Sequence, residues 1–303
     1  MTPRREQTAE TLEPRIAEAY AKINLGLRVL GRRPDGYHEI DTILQTVDLS
    51  DTLQFRPSRT GHLRVVCDDP GIPDGEENLV WKALNRLRTE VGRNNLGMEV
   101  EIKKGIPAGA GLGGGSSDAA CALAAGSVLW GLALELRELE SLAAEIGSDI
   151  PFFLRGGTCR AIGRGEILEP LHPNIDIECG LLLSPIHLAT REVYGCFEPS
   201  LTRNSLSAKM VQQLIVTGDA RELADLLNND LEAAARTMAP KLLEYRDRLE
   251  ELGYPIVRMT GSGSALFFWP APKDRVQETR RAFMDSGCRI ELVRATQKGW
   301  VWR

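Results

Sequence analysis

The chain has 303 residues, room for two domains at roughly 100–200 residues each, and its 43% hydrophobic and 26% charged content is that of a folded globular protein. Its 42 acidic and 37 basic residues leave a net charge of -5, which gives no general attraction for nucleic acid or for an anionic membrane surface. Six dispersed cysteines without a Cys-x-x-Cys pair, and only four histidines, argue against a disulfide framework or zinc site and for reduced thiols in the cytoplasm.

Residues 1–16 are too polar for a signal peptide and too acidic for a transit peptide, and are expected to form an extension. No apolar run is long enough for a membrane-spanning helix. A strand is predicted over 19–30, with Lys22 between Ala21 and Ile23. That lysine is either on an exposed strand face or a charge aimed into a site, and Asn24 projects to the same side. Pro34-Asp35-Gly36 predicts a turn leading into Tyr37 and His38. Strands are expected at 51–56 and Leu63–Cys67, then a helix over 78–91 capped by Asn78. Residues 98–104 alternate like a half-exposed strand, and helices follow at 117–130 and 136–146, the second stopping at Gly147. Strands at 158–161, 180–184, 255–260 and 265–269 and helices at 206–216 and 231–252 complete the pattern. The order lacks regular βαβ spacing, so it reads as α+β, with a domain boundary near 165–185.

The segment Pro107, Ala108, Gly109, Ala110, Gly111, Leu112, Gly113, Gly114, Gly115, Ser116, Ser117 precedes an alanine-rich helical stretch. Glycines there allow positive φ and let backbone N–H groups approach an anion, while the helix presents its positive end to the same place. A polyphosphate fits such a loop; so does a plain glycine-rich turn. The spacing Gly109-x-Gly111-x-x-Gly114 matches the dinucleotide fingerprint, but no buried strand precedes it and the region around Glu135 reads as helix. No Gly-Lys-Ser/Thr follows, which excludes a Walker A loop, and the protein-kinase signatures are missing.

Asp149 follows a helix end and is either a turn-capping residue or a base for a substrate hydroxyl. Tyr37 and His38 could stack on and hydrogen-bond a nucleobase, or pack on a neighbouring strand. Lys104 is a phosphate partner or a solvated charge, and Thr260-Gly261-Ser262-Gly263-Ser264 is an anion-facing loop or a hairpin turn.

Taken in order, Ala21-Lys-Ile-Asn-Leu25, Arg33-Pro-Asp-Gly-Tyr-His38, Pro107 to Asp118, Gly147-Ser-Asp-Ile-Pro-Phe-Phe153 and Thr260 to Ser264 resemble the 4-diphosphocytidyl-2-C-methyl-D-erythritol kinases. That family belongs to the GHMP superfamily of galactokinase, homoserine, mevalonate and phosphomevalonate kinases. The resemblance implies ATP-dependent phosphorylation of the 2-hydroxyl of the cytidyl substrate, in the non-mevalonate route to isoprenoid precursors. It implies Asp149 as base and Lys22 as its partner, with residues 107–117 around the ATP phosphates and Asn78 and Lys104 near the nucleotide. Tyr37 and His38 match the cytosine-recognition pair and Tyr194 a second stacking aromatic. Asn24 and Thr190 would line the substrate site, which Gly261 and Ser262 approach from the other domain. An ATP-binding α+β domain over 17–172 and a ferredoxin-like substrate-binding domain over 173–303 would enclose the cleft; residues 1–16 have no family counterpart. Mg²⁺ is expected with ATP, held mainly by phosphates, since no dedicated metal-ligand cluster stands in the sequence. A cytoplasmic monomer or homodimer is expected, with no nucleic-acid or membrane partner. A superfamily kinase for another small alcohol is the alternative within the class, and Tyr37-His38 counts against it because such alcohols carry no base. A non-catalytic ligand sensor is the alternative outside it, and it would have no chemical need for Lys22 with Asp149.

Overall fold

The computed structural model describes residues 13–58, 60–172, 177–197 and 227–303. The helix expected at 206–216 lies outside them.

Two long antiparallel strands, β1 (Arg15–Arg32) and β2 (His38–Ser58), form the spine of a seven-stranded sheet. β3 (Leu63–Cys67) and β4 (Gly97–Lys103) extend one side, with β4 on the second half of β2. The first half of β2 pairs with β5 (Thr158–Gly163), which carries β6 (Ile167–Pro170). Helices α1 (Leu79–Glu90), α2 (Gly114–Leu129), α3 (Leu136–Ile146) and α4 (Ile150–Arg155) share one core with this sheet. The alanine-rich α2 is buried from Ser117 to Ser127. Its Gly126 lies so near α1 that a Cβ there would stand 2.7 Å from Leu84.

The second sheet runs β10-β7-β9-β8, all antiparallel, from β7 (Glu178–Leu183), β8 (Ile256–Met259), β9 (Leu266–Trp269) and β10 (Arg289–Arg294). With helices between the first and second strands and between the third and fourth, this is the ferredoxin-like order.

Some expectations change. The predicted 231–252 helix is two, Glu232–Met238 and Lys241–Glu251, broken at Ala239-Pro240 because proline cannot continue the hydrogen-bond ladder. Arg15 and Ile16, expected in the extension, belong to β1. The last strand, β11 (Trp300–Trp302), pairs with β1, so the chain's end returns to the first sheet rather than staying with the second. Gly147 does end α3, but in an extended conformation (φ -172°) rather than a left-handed one.

β1 does not keep one face throughout. Ala17 and Ala19 pack into the core under the helices, whereas Ala21, Ile23 and Leu25 pack into a second core shared with the ferredoxin-like sheet. The exchange falls where the β1–β2 ladder is irregular: Tyr20 pairs with Ser50 but Ala21 with Val47, so Asp48 and Leu49 of β2 drop out of register there. It leaves Lys22 and Asn24 on the side of the glycine-rich loop and α2.

Candidate active site

A cleft of about 1390 Å³ opens between the two sheets' loops. Its floor is a buried polar chain built on β1 and β2. Lys22, 4% exposed, donates from Nζ to Asn24 Oδ1 (2.6 Å) and to the Gly111 carbonyl (2.7 Å). Asn24 Nδ2 donates to Thr42 Oγ1 (2.8 Å), and Thr42 donates to the Gly26 carbonyl (2.6 Å). The Asn24 backbone N–H reaches Thr260 Oγ1 at 2.9 Å, joining the floor to the second lobe. An ammonium has three donors, so one N–H of Lys22 remains for the cleft. Burial lowers the Lys22 pKa, and the charge of Asp149 partly opposes this.

Asp149 lines the same cleft. It occupies the N-cap position of α4 with helical dihedrals and no capping hydrogen bond, so its carboxylate is not spent on the turn. Gly165 packs beside it; a Cβ there would stand 3.6 Å from Asp149 Oδ1. Lys22 and Asp149 make no direct ion pair, the lysine being held by Asn24 and Gly111.

The glycine-rich loop runs along the wall, Pro107 to Gly111 and Gly113 to Ser116 all lining the cleft. Gly111 is pinned between the lobes at φ +77°, where a Cβ would fall 2.2 Å from the Thr260 carbonyl. Gly113, at φ +72°, is the N-cap of α2 and presses on Phe153 and Lys22. Leu112 and Ser117 depart from the predicted set. Leu112 is buried in the inter-sheet core, and its carbonyl accepts from the Lys22 N–H. The Ser117 hydroxyl donates to the Tyr20 carbonyl (2.6 Å) and is fully buried.

Asn78 and Lys104 line the cleft with their polar atoms already engaged. Asn78 caps α1 by accepting from Val80 N–H (2.9 Å) and donates to the Pro73 carbonyl (2.9 Å). Lys104 sits between Asp51 and Asp118, 2.8 Å from the latter. Asp51 also accepts from the Gly105 and Ile106 N–H groups, which makes it the lysine's better-supported counterion. Asp118 is the surplus carboxylate: burial and the neighbouring Asp51 push its pKa up to about 8, and its Oδ1 has no partner among the described residues. Lys104 is raised, because Asp118 and Asp51 outweigh the burial that alone would lower it.

The cleft is also lined by Tyr37, His38 and Tyr194, and by Thr190, Gly261 and Ser262, with Gly261 so near the floor that a Cβ there would stand 3.1 Å from Lys22 Nζ. The Asp35 side chain accepts from the Tyr37 N–H (3.1 Å) and closes the predicted turn. The Tyr37 ring is 57% exposed, with the Arg164 guanidinium 5.0 Å from its centroid. His38 lies 5.1 Å from the Tyr194 ring, and burial, then the Arg32 charge, lowers its pKa. Thr190 starts the short helix α5 (Thr190–Gly195), and its hydroxyl meets Ser262 Oγ at 2.9 Å.

Sequence reasoning missed, among other lining residues, Arg32, Thr42, Ile72, Pro73, Leu79, Asp118, Arg164, Arg191 and Phe197. Asp118 was within reach, since it closes the Ser-Ser-Asp run; most of the others come from segments with no motif of their own.

Comparison with known proteins agrees with this arrangement. The model of the GHMP kinases N terminal domain matches residues 78–157 and that of the GHMP kinases C terminal matches 210–288. The chain is 43% identical over 278 residues to a 4-diphosphocytidyl-2-C-methyl-D-erythritol kinase of Pelotomaculum thermopropionicum, covering 92% of this chain and 96% of that one. It is 40% identical over 294 residues to the same-named protein of Solibacter usitatus, covering 94% and 90%. A crystal structure of 4-(cytidine 5'-diphospho)-2C-methyl-D-erythritol kinase superposes with a TM-score of 0.80 at 33% identity, over 92% of this chain and 98% of that one. A homoserine kinase from Cytophaga hutchinsonii shares the fold at a TM-score of 0.73 with 18% identity. With this similarity running over nearly the whole length, the chain belongs to the 4-diphosphocytidyl-2-C-methyl-D-erythritol kinase family of the GHMP kinases.

Proposed function

We propose that this chain transfers the γ-phosphoryl group of ATP to the 2-hydroxyl of 4-diphosphocytidyl-2-C-methyl-D-erythritol. The observation that carries the reading is that Lys22 and Asp149 open onto one cleft beside the glycine-rich loop, with the Tyr37-His38-Tyr194 cluster in the same cleft. The substrate oxygen attacks the γ-phosphorus, the bond to the β-phosphate oxygen breaks, the hydroxyl proton passes to Asp149, and ADP leaves. Lys22, fixed by Asn24 and Gly111, contributes its remaining N–H to the negative charge that builds on the transferring group. Glycines 109, 111 and 113, all at positive φ, let loop N–H groups face the phosphates. Asn78, Leu79 and Lys104 form the nucleotide wall, Lys104 as a positioned rather than a free charge. Tyr37 and Tyr194 supply aromatic faces for cytosine and His38 a ring nitrogen for its edge; Asn24, Thr190, Gly261 and Ser262 line the alcohol end.

The residues present fit a nucleotide-borne Mg²⁺. Ser116 lines the cleft, and Asp118, whose Oδ1 has no partner among the described residues, lies at the start of the same helix, two oxygen donors for an ion otherwise held by phosphates. The ion would neutralise phosphate charge during transfer. The division into an ATP-binding lobe over 17–172 and a substrate lobe over 173–303, with Arg15, Ile16 and β11 joining the first sheet, is part of this proposal, as are a cytoplasmic setting and a monomer or homodimer; among the described residues no helix is long and apolar enough to cross a membrane.

ADP release with Mg-ATP and a panel of the cytidyl substrate, mevalonate, homoserine and galactose tests the reading. Turnover of the cytidyl compound alone is expected; turnover of another alcohol instead would overturn the substrate assignment while leaving the kinase chemistry.

A further inference from the structure

Four carboxylates line the cleft, and all four are placed away from its aromatic end or engaged by a cation. Asp118 faces Lys104, Asp149 acts on the Lys22 charge, and Asp35 is held by Arg33 at 3.2 Å. Glu77 sits by Asn78 at the nucleotide wall, 3.6 Å from Lys82. Positive charge at the aromatic end is not balanced in this way. Arg32, Arg164 and Arg191 all line the cleft there. Arg164 is engaged by Glu166 at 3.7 Å and by the Tyr37 ring. Arg32 and Arg191, both lining the cleft, have no carboxylate partner among the described residues.

Their positions tie both to the base-recognising residues. Arg32 ends β1 directly across from His38 in the ladder, close enough for its charge to act on the imidazole. Arg191 lies between Thr190, bonded to Ser262, and Tyr194, three residues on and on the same helical face. One arginine comes from each lobe. A ligand with a base at Tyr37, His38 and Tyr194 and its reacting hydroxyl at Asp149 must carry its linking group between them.

We infer that Arg32 and Arg191 form a two-lobed clamp for the substrate's diphosphate and so determine specificity for a nucleoside-diphosphate-linked alcohol over a free one. This rests on the substrate reading above. Guanidinium groups suit it because they bind phosphate oxygens in a bidentate manner, and a cation from each lobe lets the anion draw the two together.

Calorimetric titration with cytidine and with cytidine 5'-diphosphate, the nucleotide wall saturated with ADP, tests the clamp. The wild-type protein is expected to bind the diphosphate more tightly than the nucleoside. Arg32→Ala and Arg191→Ala should each lose about tenfold in diphosphate affinity, the factor for one charge-assisted hydrogen bond, with cytidine and ADP affinities kept. Lysine at either position should restore part of the loss, and KM for the full substrate should rise while kcat holds. Unchanged diphosphate affinity in both alanine variants overturns the clamp. An equal loss of ADP affinity also overturns it, by assigning the arginines to the other nucleotide. If the wild-type protein binds neither cytidine nor its diphosphate, the base-recognition reading itself fails.

Discussion

Asp149 and Lys22 carry different kinds of expectation. A carboxylate that caps nothing and takes a proton in the reaction is worth about 10²–10⁴ in rate, so Asp149→Asn should lower kcat by that order and leave ADP affinity unchanged. Wild-type turnover in that variant would remove it as the base. Because burial lowers the Lys22 pKa, its proton is lost earlier as pH rises than from an ordinary lysine near ~10.4. The kcat profile should therefore fall on an alkaline limb below that value, and a limb at or above it would contradict Lys22 as the charge that matters. Asp118 gives a stability prediction of its own. Its folded pKa of about 8 lies above the unfolded one, so the favourable contribution is complete below the ordinary carboxylate range and is lost as pH rises through about 8. Asp118→Asn, which cannot ionise, should flatten the decline in urea midpoint between about pH 5 and about pH 8; an unaltered decline would place the titration elsewhere. Lys22, Asn24 and Asp149 were legible as residues in the sequence, but whether Asp149 capped a helix was not. Capping depends on dihedrals and on where the side chain finds a donor, and neither is written in the letters around it.

At the level of elements, the glycine-rich loop separates two kinds of glycine. Gly109 sits at φ +67° where an added Cβ would meet nothing closer than His187 at 3.8 Å, whereas a Cβ on Gly113, at φ +72°, would come to 2.7 Å from Phe153. Gly109→Ala should thus weaken nucleotide binding through backbone strain with a modest loss of stability, and Gly113→Val should destabilise the fold as well as the site. Equal melting points for the two variants would refute the distinction. Asn229 plays the corresponding part in the second lobe. Its Nδ2 donates to the Met259 and Gly261 carbonyls at 2.8 and 2.7 Å, and its Oδ1 accepts from the Leu231 N–H. This side chain is one of the ties that hold the loop bringing Gly261 and Ser262 to the cleft, yet no motif marks it, because its carbonyl partners lie some thirty residues away in sequence. The irregularity in the β1–β2 ladder was equally illegible: Ala17 through Leu25 alternate without interruption in the sequence, and only pairing with β2 shows where the register slips. Pro240 is the opposite case: the rule against interior proline needs no tertiary information, so the break that the reading of 231–252 as one helix passed over was legible.

The two lobes are not independent bodies joined by a hinge. Ala21, Ile23, Ile43 and Val47 of the first sheet share a core with Cys179, Leu181, Ile256 and Phe267 of the second, and the loop residues Ile106, Ala110 and Leu112 pack into it. Backbone hydrogen bonds cross the same boundary, from Ala265 N–H to the Ala110 carbonyl at 3.1 Å and from Thr296 N–H to the Thr46 carbonyl at 2.8 Å. A buried ion pair, Arg28 with Asp230 at 3.2 Å, adds a charged tie whose loss on one side would strand the other charge. The return of β11 to β1 closes the chain across both lobes, a link invisible in a sequence where residues 300–302 resemble any short apolar strand. Cooperative unfolding follows when units share a core rather than a linker. Scanning calorimetry should show a single transition whose calorimetric enthalpy equals its van't Hoff enthalpy. Phe267→Ala, which opens a cavity in the shared core, should lower that transition as a whole, at a cost of about 3–5 kcal/mol. Two resolved transitions, or a variant that lowers one part and spares the other, would show that the lobes fold separately and that the cleft between them is held by less than this core implies.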